Sequence, residues 1–182
     1  ATGIVTSYTN LTTAANSSFY LQDDTGGIIV FFGGNTDARP LAGDKVTVVG
    51  PLGQFNSLLE LNLSAADPAN SVLTNSSGNP LPAAVGLPFT NNPSASNGIR
   101  FYQSALVTLT NVYFPPGFTG TNDFGSGVNV VVTNAAGETF NVRIDSRVGD
   151  IIGQRVPPYG WTVTGPMSYF LSTTAADRSA GF

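Results

Sequence analysis

The sequence predicts an all-β protein made of two small five-stranded barrels in tandem, the second lacking its last strand. Three observations predict it. No segment longer than about ten residues holds a helical period of apolar side chains. Short runs of β-branched and aromatic residues recur instead, separated by clusters of Gly, Asn, Pro and Ser. The second half of the chain also repeats the pattern of the first.

The first half reads as five strands, at residues 3–8, 19–23, 28–32, 45–55 and 58–63. Between the second and third stands Asp24-Thr25-Gly26-Gly27, a tight-hairpin sequence whose glycines accept positive φ. The span 33–44 leaves room for one short helical turn at Asp37-Ala38-Arg39-Pro40-Leu41. The long fourth strand carries Gly50-Pro51 and Gly53, the residue types a barrel strand uses where it must bend sharply to close. From 64 to 98 the chain turns rich in Pro, Asn, Ser and Gly. It reads as a connector, with one helical turn at Ala65-Ala66-Asp67-Pro68-Ala69-Asn70.

The second half then matches the first. Leu106-Val107-Thr108 corresponds to Ile4-Val5-Thr6, and residues 128–133, Asn134-Ala135-Ala136-Gly137 and 139–144 correspond to the earlier hairpin. Thr162-Val163-Thr164-Gly165-Pro166-Met167 repeats both the alternation and the Gly-Pro bend of Thr47-Val48-Val49-Gly50-Pro51-Leu52. A duplicated unit of roughly 80 residues explains these matches. The expected division is 1–66 for the first barrel, 67–98 for the connector and 99–182 for the second barrel. After the second Gly-Pro, Tyr169, Phe170 and Leu171 lead into 172–182, which is polar and Ala-rich. The second barrel is therefore expected to be short of its fifth strand.

The string Phe19-Tyr20-Leu21-Gln22-Asp23-Asp24-Thr25-Gly26-Gly27-Ile28, with Leu41-Ala42-Gly43-Asp44-Lys45-Val46 and Gly50, resembles the OB-fold domains of secreted bacterial proteins. Such domains occur attached to extracellular nucleases and large surface proteins. The resemblance covers residues 3–63 well. Over 104–170 it is weaker, because Tyr159-Gly160 stands where the Gly-Asp before the fourth strand is expected. It implies five-stranded barrels and a secreted context, and it carries no catalytic residues to transfer.

Composition narrows the chemistry. Hydrophobic residues make up 41% of the 182, enough for a packed core, while charged residues are only 10%, well under the usual quarter or so of a globular chain. Lys45 is the only lysine, and the net charge is −4, so no basic stripe is available for a polyanion. There is no cysteine and no histidine. That removes disulfides, thiol catalysis, His-ligated metals and every triad that relays protons through imidazole. No apolar run reaches the length of a membrane-spanning helix. The start at Ala1, the scarcity of lysine and the Asn/Thr/Ser/Gly texture give an expectation of an extracellular or cell-surface protein whose leader has been removed.

Only carboxylates remain for acid–base work, and they are not arranged for it. Asp23 and Asp24 are adjacent at a strand end and point to opposite faces. Glu60 is expected to face solvent, and Asp145 and Asp150 to form a local ion pair with Arg147. Asp23, Asp24 and Asp123 do not follow the twelve-residue calcium-loop pattern. Of Phe19, Tyr20, Phe31 and Phe32, each adjacent pair puts one ring inward and one outward. Trp161 reads as a core residue of the second barrel. Four sequons place candidate glycosylation at Asn10, Asn16, Asn62 and Asn75. Tyr8, Tyr113 and Tyr159 are the candidate aromatics for stacking on a sugar ring.

The resulting expectation is a non-catalytic structural subunit of an extracellular filament or surface assembly. Its partners are other copies of itself, joined by head-to-tail and edge-strand contacts. No cofactor, nucleic acid or membrane insertion is expected. The alternative is a secreted carbohydrate-binding or adhesive module, with glycans as partners.

Overall fold

The structure, a computed structural model, describes residues 1–8, 11–13, 16–33, 39–56, 58–64, 67–87, 89, 102–115, 123–156 and 160–168. Among these residues the chain is all-β, with thirteen strands and no α-helix. Chain contacts divide it into two compact units. The first comprises Ala1–Val85, Asn92–Val107 and Gly165–Phe182, and the second Gly86–Asn91 and Thr108–Thr164.

The first unit holds an eight-stranded sheet. It contains β1 (Thr2–Val5), β2 (Leu11–Thr13), β3 (Asn16–Asp23), β4 (Gly26–Phe31), β5 (Lys45–Val49), β6 (Leu52–Phe55), β7 (Leu58–Asn62) and β8 (Ser71–Ser76). Their order is β6-β7-β4-β3-β1-β5-β8, with β2 on the free part of β3. All pairs are antiparallel except β4 with β7, where Ile29, Val30 and Phe31 stand opposite Glu60, Leu61 and Asn62 in parallel. The expected fourth strand is two strands, β5 and β6, broken at Gly50-Pro51. Pro51 still accepts a hydrogen bond from Asn62 N–H at 2.9 Å, so the break is a corner within a continuous layer. The hydrogen-bonded path nevertheless has two ends, β6 and β8. Among the described residues no sheet closes on itself, where two OB-like five-stranded barrels, the second short of a strand, were expected.

Period-two patterning explains the core. Val5, Phe19 and Leu21, Val30 and Phe32, Val46 and Val48, and Leu61 and Leu63 all face inward and form one buried cluster. Within each strand these residues are two apart, so one face of the pleat collects them. β3 differs from the expected half-buried strand, since Ser17 through Gln22 are buried without a break. Its second face is covered as well. The side-chain carbonyl of Gln22 accepts the N–H of Leu106 at 2.7 Å.

The hairpin between β3 and β4 corrects one expectation. Its turn is stabilised by Asp23, whose Oδ1 accepts from Thr25 N (2.8 Å), Thr25 Oγ1 (2.6 Å) and Gly26 N (3.2 Å). Gly27 is required for close approach and not for a positive φ: a Cβ there would collide with the backbone carbonyl of Ser104. The expected connector also contributes β8. Val72 packs against the core, while the strand's other side chains stay exposed, which is why its sequence reads as linker.

The remaining strands are β9 (Val85–Gly86), β10 (Leu106–Val112), β11 (Val128–Thr133), β12 (Thr139–Ile144) and β13 (Trp161–Pro166). They form a three-stranded sheet, β13-β10-β9, and a two-stranded sheet, β11-β12. An isolated bridge joins Tyr113 to Thr133, with hydrogen bonds of 2.7 and 2.8 Å, and so brings β10 beside β11. The hairpin turn after β11 is organised by Asn134, whose Oδ1 accepts from Ala136 N and Glu138 N, both at 3.0 Å. Gly137 sits at φ 78°.

Gly165-Pro166 does not repeat the corner at Gly50-Pro51. β13 includes both residues, and pairing continues beyond them. Met167 N–H donates to Ala105, and Ser104 N–H donates to Met167, both at 2.8 Å. Residues 104–107 and 165–168 therefore belong with the first compact unit, across the expected boundary at 98. The expected place of the missing fifth strand, after residue 168, lies outside the described residues.

Candidate functional site

Two regions stand out once the strands are placed. The first is the set of large apolar side chains left exposed on the eight-stranded sheet. Leu52 (64% exposed) and Phe55 (58%) lie on the end strand β6, Leu59 on its neighbour β7, Val49 on β5, and Leu73 (62%) on the other end strand β8. The alternation that buries Val46 and Val48 necessarily turns Val49 outward. Exposed apolar residues on strands with an unpaired edge are a recognised surface for association.

The second region is a cavity of about 380 Å³ inside the second compact unit. Val142 and Ile144 of β12 form one wall, Trp161 and Val163 of β13 another, and Phe114 and Phe124 also line it. The three aromatic rings meet edge to face, with centroids 5.3 to 5.8 Å apart and interplanar angles of 74° to 89°. Asp150 and Gln154 add polar groups to the lining. Trp161, expected as a core residue, is half-buried and packs against Phe114 and Phe124. Its Nε1 is shielded from solvent and has no hydrogen-bond partner among the described residues. A buried donor without an acceptor is uncommon in a folded chain.

Comparison with known protein families, curated proteins and solved structures finds no match.

The candidate tyrosines divide between regions. Tyr8, half exposed, belongs to the first unit. Tyr113 is 41% exposed and belongs to the second, where Gly160 lies against its ring: a Cβ on that glycine would stand 3.2 Å from the Tyr113 ring. Tyr159 lies outside the described residues. The sequons differ among themselves. Asn10 is outside the described residues, and Asn16 pairs with Thr13 across β2 and β3. Asn62 is half-buried. Its Nδ2, the atom a glycan would take, donates to Glu60 Oε1 at 2.8 Å, and its Oδ1 accepts from Ser64 N (3.0 Å) and Ser64 Oγ. Asn75 is exposed on β8, with Oδ1 accepting from Thr47 Oγ1 at 3.0 Å.

The carboxylates are in structural use. The Thr25 hydroxyl and backbone N–H, together with the Gly26 N–H, hold the Asp23 carboxyl below the ordinary carboxylate range against a small opposing effect of burial. Glu60, expected to face solvent, is 6% exposed. It sits between Leu59 and Leu61 on β7, and its burial is offset by the Asn62 amide. Asp145 Oδ1 accepts from Arg147 N at 3.1 Å, so that contact is a loop cap through the backbone. Arg155 Nε approaches Asp123 at 4.0 Å with both side chains largely exposed, a pair of small energetic weight. Among the described residues no three acidic side chains group to hold a metal ion. Phe19, Tyr20 and Phe32 are buried and Phe31 is half-buried.

Two features with consequences were not found by sequence reasoning. The burial of Gln22 had a faint signal, a polar residue in step with Tyr20 on β3. The cavity had none, because Phe114, Phe124 and Trp161 are separated along the chain.

Proposed function

We propose that this chain is a non-catalytic structural subunit of an extracellular filament or surface assembly, built from OB-type units and joined to copies of itself. The observation that carries the reading is the pair of end strands, β6 and β8, both bearing exposed leucines and, on β6, Phe55. Backbone groups on such edges seek partners, and apolar side chains beside them add burial of about 25 cal/mol per Å² when covered.

Several features support an OB-type barrel for the first unit. Counting β5 and β6 as one strand bent at Gly50-Pro51, five strands pair as first with second, second with third, third in parallel with fifth, fifth with fourth, and fourth with first. That order returns to its start through the covalent bend. The absence of histidine and cysteine from the sequence favours a role without thiol- or imidazole-based catalysis. The low content of charged side chains suits a surface that is covered in an assembly.

Electron microscopy of dilute native protein, with mass measured on the same sample, tests the reading. Regular filaments or sheets are expected. Compact monomers persisting at high concentration would overturn it. In that case the exposed rings of Tyr8 and Tyr113 favour the second reading, a carbohydrate-binding module, which a glycan-binding measurement on the monomer would detect.

A further inference from the structure

The sequons at Asn62 and Asn75 share one pattern and are held in opposite ways. An Asn-X-Ser acceptor is a surface feature that a glycosyltransferase must enter. Its carboxamide nitrogen attacks the sugar, so that nitrogen and the hydroxyl two residues on must both be available. At Asn62-Leu63-Ser64 both are engaged. Asn62 Nδ2 donates to Glu60 Oε1 at 2.8 Å, and the Ser64 hydroxyl donates to Asn62 Oδ1. Leu63 between them is 1% exposed and belongs to the core cluster. β7, which ends at Asn62, is paired on both sides, with β4 and with β6. An enzyme reaches this sequon only after the strand is pulled out.

Asn75-Ser76-Ser77 leaves the end of β8, the last strand of its sheet path, and all three residues are exposed. Asn75 Oδ1 accepts from Thr47 Oγ1 at 3.0 Å, and Thr47 Oγ1 lies 3.0 Å from Thr2 Oγ1. That relay holds the carboxamide through its oxygen and leaves the nitrogen uncommitted. Among the described residues neither Asn75 Nδ2 nor Ser77 Oγ has a hydrogen-bond partner. The bend beyond is fixed by Asn79, whose backbone N–H and Nδ2 both donate to the Gly43 carbonyl, at 2.8 and 2.9 Å, and by Gly78 at φ 71°. Ser76 is the last residue of β8 in the ladder, opposite Lys45, so Ser77 stands just past it on a held bend.

The surface beside Asn75 adds an independent reason. Leu73, 62% exposed, is two residues before Asn75, so both side chains stand on one face of β8. Leu73 is opposite Thr47, and the exposed Val49 is two residues beyond Thr47 on that same face. An apolar patch rimmed by hydroxyls and amides marks a site of contact, and a sugar matches it. The ring's C–H face covers the aliphatic side chains while its hydroxyls meet the rim. We infer that Asn75 carries a covalent N-linked glycan, its first sugar over Leu73 and Val49, and that Asn62 stays bare in the folded chain. The donor is a sugar carried on a diphosphate. A bond forms between its anomeric carbon and Asn75 Nδ2, and the bond from that carbon to the diphosphate oxygen breaks. The diphosphate leaves with the electron pair, and one amide proton passes to a base of the transferase. A sugar on this face leaves the backbone edge of β8 and the whole of β6 open, and neither the site nor its test requires that copies of the chain assemble.

Protein purified from its natural source is weighed intact and then as peptides. A mass above the 18.8 kDa of the polypeptide is expected, with the sugar on Asn75 and none on Asn62. A bare Asn75 overturns the site, whatever the other sequons carry. The folded, unmodified chain is also treated with UDP-glucose and a soluble asparagine glucosyltransferase. Asn75 is expected to react in the folded chain, and Asn62 only in peptides cut from it. Equal reaction of both in the folded chain overturns the selection between them. Ser77→Ala keeps Asn75 and is expected to lose the reaction with its circular dichroism unchanged, and a variant that still reacts overturns the role of the Ser77 hydroxyl. An apolar dye is expected to bind the bare chain more than the glucosylated one, and Leu73→Ser to abolish the difference. Equal dye binding by the bare and glucosylated chains overturns the placement of the sugar over Leu73.

Discussion

Asp23, Gln22 and Gly27 are three consecutive kinds of commitment within one hairpin. Asp23 accepts three hydrogen bonds in the turn, and those bonds favour its charged form. Because its folded pKa is depressed, the stabilisation is present above the ordinary carboxyl range and is lost as pH falls through the folded value. Asp23→Asn is therefore expected to be less stable than the parent at neutral pH, by about 1 kcal/mol for a weakened turn. The gap should close in acid, as read from urea transitions at about pH 7 and about pH 2. Gln22→Leu removes the acceptor of the buried Leu106 N–H. Leaving that group unsatisfied is expected to cost about 1–3 kcal/mol, seen as a lower urea midpoint at unchanged slope. Gln22 was legible only as a polar residue in a strand. That it is buried depends on residues far along the chain.

Strands were the most legible elements where one face meets the core. Four of the five expected strands of the first half exist as single strands and the fourth is divided into β5 and β6, and the alternation of Val46 with Val48 or Phe19 with Leu21 is what made them readable. β8 was missed because it buries little more than Val72 and reads as linker. The two Gly-Pro pairs show the limit of local pattern. Gly50-Pro51 divides two strands, and Gly165-Pro166 ends one that stays paired onward to Met167. A Gly-Pro step permits a corner, and the partner strand decides whether the corner is used. Here Ala105 and Ser104 extend the edge that Met167 follows. Two glycines make contrasting predictions. Gly27→Ala drives a Cβ into the Ser104 backbone, and since neither partner is a flexible side-chain end, a loss of several kcal/mol is expected by chemical denaturation. Gly137→Ala meets open space but keeps φ near 78°, so about 1 kcal/mol is expected from the same measurement.

At the scale of the whole molecule, low charge and exposed apolar edges belong together. A chain with 10% charged residues has few side chains with which to protect an edge strand, and β6 and β8 carry Leu52, Phe55 and Leu73 where lysine or glutamate commonly stands. Leu52→Lys/Phe55→Lys is expected to weaken self-association while leaving the thermal transition within about 0.5 kcal/mol of the parent, since both residues are already exposed. Light scattering and thermal melts on the same samples check it. Equal association with and without the lysines would exclude the β6 face from the assembly.

By itself the sequence determined the all-β class, the first-half strands, the turn at Asp23 and the chemistry that lacks histidine and cysteine. Those follow from period-two patterning, turn residues and composition, which are local. Only the tertiary structure decided that β4 and β7 run parallel, that Glu60 and Gln22 are buried, that β8 joins the first sheet, and that Phe114, Phe124 and Trp161 line one cavity between β12 and β13. Each of these depends on which distant segments share an edge, and a strand's own sequence specifies which face it buries far more strongly than which neighbour it pairs with.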